Sequence, residues 1–232
     1  MKLLRLLPPV FFLSIAGCAS DLPLPVEAHP QESLAARVHS RSTLRVLFIG
    51  NSYCFGAPRA FEKLAIANGH KVVVDQESFG GWTLAKHAKN HGTLSAIRDG
   101  HWDIVVIQEQ SVIPSLPEPN RARMMTKPLR TLASEARAAG AIPILYQSWG
   151  RRDGDPNVRG DTFLAMNHRL RAGYHAASRD AGGLVVVPVG DAWEKEVAAG
   201  RGARLYNPDG SHPTRDGNRL IAEVFYRTLF GS

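Results

Sequence analysis

Five short runs of β-branched and other apolar residues, separated by stretches of helical spacing, constrain this chain more than any other feature of it. They are Thr43 to Ile49, Lys71 to Asp75, Asp103 to Gln108, Ile142 to Gln147 and Leu184 to Pro188. Runs this short and this continuously apolar predict strands buried on both faces, the pattern of a parallel sheet. Helical spacing fills the intervals, over Pro58 to Asn68, Leu84 to Arg98, Asn120 to Ala139, Thr162 to Asp180 and Ala192 to Ala199, and a last helix spans Thr214 to Phe230. Strand and helix in alternation, joined by right-handed crossovers, give an α/β fold: a flavodoxin-like three-layer α/β/α sandwich with a five-stranded parallel sheet. Ligands of such folds bind beyond the carboxyl ends of the strands, so the chemistry is to be sought in the loops that follow them.

Two of those loops stand out. The first strand empties into Gly50-Asn51-Ser52-Tyr53, which leaves a serine at a strand-to-helix turn. Near the other end of the chain, Asp209-Gly210-Ser211-His212-Pro213 sets a carboxylate and an imidazole three residues apart, just before the final helix. A serine hydroxyl is a weak nucleophile unless a base lies within hydrogen-bond reach, and that base needs an acceptor to fix its tautomer. Ser52, His212 and Asp209 supply those roles. Taken singly, each has a plainer explanation, Ser52 as a helix cap and Asp209 to Pro213 as a turn. Together, at the two functional ends of one sheet, they point to nucleophilic catalysis.

These segments resemble those of the SGNH hydrolases, also called GDSL-type esterases. Phe48-Ile49-Gly50-Asn51-Ser52 is similar to their first block, whose serine is the nucleophile, and Asp209 to Pro213, followed by Gly217, to their last block with its D-x-x-H pair. The resemblance runs in block order from about Ser42 onward and implies catalytic roles for Ser52, Asp209 and His212. It also implies an oxyanion hole made by the backbone N–H groups of Ser52 and of Gly81, within Phe79-Gly80-Gly81-Trp82-Thr83, and by the side-chain amide of Gln110. Two departures bear on that assignment. Asn51 stands where the usual G-D-S has an aspartate. The usual G-x-N-D after the third strand is here Gln108-Glu109-Gln110-Ser111, so the amide of Gln110 is one methylene longer than the family's asparagine. Gln108 is set aside as part of the strand. G-N-S together with Q-E-Q-S marks one branch of the superfamily.

Competing constellations are weaker. His87 and His91 are four apart on an expected helix but have no adjacent glutamate and no third ligand, so they read as a solvated face. There is no G-x-S-x-G elbow, phosphate loop or dinucleotide fingerprint, and no metal or cofactor is expected. Cys54 reads as a small buried hydrophobe. Trp82 and Trp149, both in loops after strands, suit either stacking on a sugar or core packing.

The first 18 residues read as a lipoprotein-type signal peptide: a basic start at Lys2 and Arg5, an apolar stretch, then Ile15-Ala16-Gly17-Cys18, which is similar to the bacterial lipobox. Cys18 is the expected lipidation site, residues 19–41 with Pro23, Pro25 and Pro30 a flexible tether, and residues 42–232 the hydrolase domain. The expected location is the bacterial cell envelope, with the chain held to a membrane by its lipid and not spanning it. Loss of residues 1–17 removes only Lys2 and Arg5, lowering the formal charge from +7 to +5. No compact cationic cluster or aromatic-interleaved basic stripe accompanies that excess, which argues against a nucleic-acid partner. The function expected is an exported serine esterase acting on a small-molecule or glycan ester, with a short acyl group such as acetyl on carbohydrate favoured. The alternatives are a lipase or thioesterase, and a non-catalytic glycan-binding envelope lipoprotein.

Overall fold

The structure, a computed structural model, describes residues 30–231. The expected signal peptide, Cys18 and the first part of the tether lie outside these residues. Five parallel strands, β1 (Leu44–Gly50), β2 (Val72–Ser78), β3 (Ile104–Ile107), β4 (Ile142–Tyr146) and β5 (Val185–Val187), form one sheet in the order β2-β1-β3-β4-β5. The helices are α1 (Pro30–His39), α2 (Ala57–Ala67), α3 (Leu84–His87), α4 (His91–Asp99), α5 (Lys127–Ala138), α6 (Phe163–Asp180), α7 (Val189–Ala198) and α8 (Arg215–Phe230). This is the flavodoxin-like sandwich expected from the sequence.

Side chains alternate across each strand, and the sheet accordingly divides the interior into two cores. Val46, Phe48, Val106 and Tyr146 face α1, α2 and α8. There the rings of Phe48, Phe61 and Phe225 meet at centroid distances of 5.1–6.3 Å. Leu47, Ile49, Val105, Ile107 and Leu145 face the other way, onto Leu129, Leu132, Ala133 and Tyr174 of α5 and α6. Each aromatic pair adds about 0.5–1.5 kcal/mol beyond its buried area, so the first core fixes α2 and α8 side by side with some force.

Four expectations need correction. The tether ends earlier than residue 41: from Pro30 the chain is α1, with Leu34 and Val38 buried against the first core. Arg41 Nε donates to the buried Asp103 carboxylate at 2.6 Å, and Arg37 donates to the Gly140 carbonyl at 2.8 Å, which ties the helix to the amino ends of the strands. The strand at Lys71 to Asp75 extends to Ser78 and is not buried on both faces, because it pairs only with β1 and forms an edge of the sheet. The helix expected over Leu84 to Arg98 is broken, since Asn90 accepts the Thr93 N–H at 2.8 Å and starts α4 afresh. The stretch from Asn120 opens as a wide π-type turn over Ala122–Thr126 before α5, where Pro128 lacks an N–H to offer the preceding turn.

Candidate active site

The loops at the carboxyl ends of β1 and β2, the segment after β3 and the loop before α8 converge on one place. Asn51 follows the last residue of β1, and Ser52 opens a single tight turn, Ser52–Cys54. Asn51 bolts that turn down in three directions. Its Oδ1 accepts the Tyr53 N–H at 3.1 Å, its Nδ2 donates to the Trp82 carbonyl at 3.2 Å, and its own N–H donates to Gln108 Oε1 at 3.0 Å. An aspartate has no hydrogen to offer Trp82. The departure from G-D-S therefore carries a bond of its own. Asn51→Asp should cost about 1–3 kcal/mol, the range for leaving a buried polar group facing the wrong partner. Thermal melting checks this, and an unchanged midpoint would mean that the Trp82 bond does not hold the turn.

From this turn Ser52 Oγ lies 2.8 Å from His212 Nε2. His212 Nδ1 donates to Asp209 Oδ2 at 2.6 Å, while Asp209 Oδ1 accepts the N–H groups of Ser211 and His212 at 2.8 and 3.0 Å. Partial burial pushes the Asp209 carboxyl up, but the hydrogen bonds from the His212 ring and from the two N–H groups outweigh it and hold the group at about 2. With Nδ1 donating to an ionised carboxylate, Nε2 is left as the acceptor for the serine proton. Gly210, at φ +66, lets the loop fold back so tightly; an added Cβ would come within 3.1 Å of the Arg152 guanidinium.

A stack of rings supports the pair from below. Tyr53 lies parallel to Trp149 at 4.7 Å, and Trp149 parallel to Trp193 at 4.0 Å. Tyr53 meets the His212 ring edge-on at 5.4 Å and shares a 2.5 Å hydrogen bond with Ser211 Oγ. Trp149 Nε1 donates to the Ser211 carbonyl at 3.1 Å. Trp149 is thus core packing, being fully buried, and the sugar-stacking alternative for it is withdrawn. Trp82 is half-buried and packs on the exposed Phe79 ring at 4.3 Å.

Among the described residues, the backbone N–H groups of Ser52, Gly80 and Gly81 take no partner. Gly81, at φ +69, occupies a conformation that side chains rarely adopt, and an added Cβ would meet nothing within 4 Å, so this backbone lies open at the surface. Gln110 Oε1 accepts the Val112 N–H at 3.0 Å, while its Nε2 makes only a long 3.4 Å contact to Ser111 Oγ. Its carbonyl end is committed to the loop and its amide hydrogens are largely free. Gln108 lies just past β3 and not in it, and its Oε1 is spent on Asn51.

Several solved structures share this architecture. A DUF4886-family protein of Bacteroides uniformis matches over 82% of this chain and 84% of its own, with 19% identity and a TM-score of 0.69. The lipase/acylhydrolase of Enterococcus faecalis matches over 80% and 95%, with 18% identity and a TM-score of 0.59. An acetyl xylan esterase matches over 81% and 100%, with 14% identity and a TM-score of 0.60. The chain shares the fold of these proteins. No family model and no curated protein matches the chain.

Within this fold, two buried groups that sequence reasoning missed brace the site. His87 is not on a solvated face. Its ring is fully buried, Nε2 donates to the Gly50 carbonyl at 2.8 Å and Nδ1 accepts from the Thr93 hydroxyl at 3.0 Å, so it pins the end of β1. Burial lowers its pKa against the raising effect of the Gly50 bond. His91 opens the next helix at the surface, and among the described residues no His, Cys, Asp or Glu cluster could hold a metal ion. Cys54 is buried as expected, which pushes its thiol up to about 12.

Glu109 is the second. It is fully buried, and its Oε1 accepts the N–H groups of Gln110 at 2.6 Å and Leu84 at 3.1 Å, joining the loops that follow β3 and β2. Burial raises its pKa to about 8 against the lowering effect of those two bonds, so the site carries a neutral carboxyl at its base. An acid raised in the folded state takes up a proton on folding. Its stabilisation is full below the unfolded value and is lost as pH rises toward about 8. Glu109→Gln keeps the acceptor without the titration, so the fall in melting temperature between about pH 5 and about pH 8 should flatten in this variant. A pH profile of melting identical to the wild type would remove Glu109 as its source.

Proposed function

We propose that this chain is an exported serine esterase that removes short acyl groups, acetyl foremost, from carbohydrate. The observation that carries the reading is the continuous chain Ser52 Oγ to His212 Nε2 at 2.8 Å and His212 Nδ1 to Asp209 Oδ2 at 2.6 Å, open to solvent at the sheet's carboxyl edge. The chemistry then follows. Ser52 Oγ attacks the acyl carbon and passes its proton to His212 Nε2, and the carbonyl oxygen becomes an oxyanion. Collapse of this intermediate expels the alcohol, which takes the proton from His212, and leaves the acyl group on Ser52. Water attacks the acyl-enzyme, giving its proton to His212, and as this second intermediate collapses His212 returns that proton to Ser52 Oγ while the acid leaves. The backbone N–H groups of Ser52 and Gly81 and the Gln110 amide bind the oxyanion.

The glycan preference draws on the likeness to an acetyl xylan esterase and on the aromatic lip of Phe79 and Trp82 beside Gly80 and Gly81, a flat apolar face suited to a sugar ring. A fluorophosphonate probe, with the labelled peptide located by mass spectrometry, and p-nitrophenyl esters of increasing chain length test the reading. Label on Ser52 and fastest turnover of the acetyl ester are expected. Label elsewhere sinks the mechanism, no label supports a glycan binder, and a preference for long chains hands the site to a lipase or thioesterase. We further propose that lipid on Cys18 holds the chain at an envelope membrane, a claim that unchanged membrane fractionation of Cys18→Ala would remove.

Gln110 has the more particular test. A donor to charge present only in the transition state affects kcat, so Gln110→Ala should lower kcat by ~10²–10³ and leave KM nearly unchanged. Gln110→Asn should fail to restore the rate, because Oε1 is fixed to the Val112 N–H and the loop is built around the longer side chain. A lowered melting temperature with kcat within a few-fold of wild type would make Gln110 a loop scaffold instead.

A further inference from the structure

Beside the Ser52–His212 pair lies an open groove of about 660 Å³ between α2 and α8. Its lining includes Phe55, three residues beyond Ser52, and Pro213, next to His212. Four cations line it, Arg59 and Lys63 from α2 and Arg215 and Arg219 from α8, against one carboxylate, Glu223. Arg219 Nε is paired with Glu223 at 2.9 Å. Arg59, Lys63 and Arg215 have no carboxylate partner among the described residues. Other arginines of this chain are paired, as in Arg201 and Arg204 with Glu196, or Arg171 with Asp191 and Glu194. Three cations without a carboxylate partner thus line one furrow whose wall includes the residue next to His212.

Charge and shape together select the occupant. A file of cations lowers the free energy of an anion and steers its approach, an effect that added salt screens. Ala60 and Ala222 are small, and the furrow between them is open to water. A fatty acyl chain gains about 0.8 kcal/mol per CH₂ only when it leaves water, so an open furrow does little for one. A hydrated polymer with repeated carboxylates suits both the openness and the charge, and the half-exposed Phe55 ring offers its first sugar a flat face. We propose that this groove binds the anionic backbone of the substrate, and that the ester cleaved at Ser52 is carried by an acidic, uronate-type polysaccharide. The proposal rests on the esterase reading above and adds to it the class of the alcohol.

The test compares acetylated oligogalacturonate with acetylated xylo-oligosaccharide of matched length, using the full chain and its Arg59→Glu/Lys63→Glu double variant. Wild type should show the lower KM for the acidic substrate, rising several-fold between about 50 and about 200 mM salt, while the neutral substrate is unaffected. The double variant should raise KM for the acidic substrate ~10-fold and leave p-nitrophenyl acetate turnover within about twofold, which also reports that it has folded. Equal wild-type KM values for the two oligosaccharides, or a variant that raises both alike, would overturn the proposal. So would loss of binding to anionic phosphatidylglycerol vesicles without loss of oligogalacturonate affinity, which would make the groove a membrane face. Calorimetric titration with de-esterified oligogalacturonate separates the two readings. Binding that the double variant loses supports the groove even if no ester is cleaved, and Ser52-dependent cleavage of p-nitrophenyl acetate without such binding leaves the esterase and removes the groove.

Discussion

Ser52→Ala will leave the protein folded and slow its ester hydrolysis on the order of 10⁶-fold, or to the background rate of the ester, whichever is reached first. The size follows from what is removed. With Oγ gone no covalent intermediate forms, and His212 Nε2 loses the hydroxyl that it meets at 2.8 Å. The fold does not depend on that oxygen, because Asn51 secures the turn through bonds made by its own side chain and backbone. The melting temperature should therefore barely move while kcat collapses. Substantial residual turnover in the alanine variant, or a kcat loss matched by unfolding, would remove Ser52 from the chemistry.

Asp209→Asn is expected to lower kcat by ~10⁴ with little effect on stability, and the geometry says why the isostere fails. Oδ1 accepts two backbone N–H groups, from Ser211 and His212. An asparagine satisfies both only by placing its carbonyl oxygen there, which turns its NH₂ toward His212 Nδ1. That nitrogen must then accept, the ring proton moves to Nε2, and the base opposite Ser52 is lost. Were the amide to flip, two N–H groups would face an NH₂ and the turn itself would open. Stability and rate measured together distinguish the outcomes: a folded variant of near wild-type rate would exclude Asp209 as the residue that sets the tautomer. Because the carboxyl is held at about 2, the wild-type rate should show no step from Asp209 across the neutral range.

What the sequence disclosed and what it withheld divide along physical lines. The strands were legible because burial on both faces leaves continuous apolar runs, and the error fell on β2, whose edge position exposes one side of residues as apolar as the rest. Asp209 and His212 were legible because their pairing is local, held within one turn. Their meeting with Ser52, 160 positions away, was inferred from strand order, and the sheet brings it about. The helix α1 was missed because only Leu34 and Val38 reach the core, too thin a stripe to register, and because Pro30 was read as tether when it starts a helix. His87 was misread because continuing the helix through Asn90 turned it outward. Asn90, three residues before Thr93, was the available signal. Glu109, the ring stack and the α2–α8 groove join segments far apart in the chain, and no local pattern announces them.

The stacked rings under the His212 loop have a spectroscopic consequence. Trp149 and Trp193 lie 4.0 Å apart and within 3° of parallel, close enough for their electronic transitions to couple. The other two tryptophans sit among different neighbours, Trp82 against Phe79 and Trp102 beneath Arg45. The near-ultraviolet circular dichroism of this protein therefore carries a paired signature from one place only. Since Trp149 holds the Ser211 carbonyl next to His212, that signature follows the order of the loop that carries the histidine.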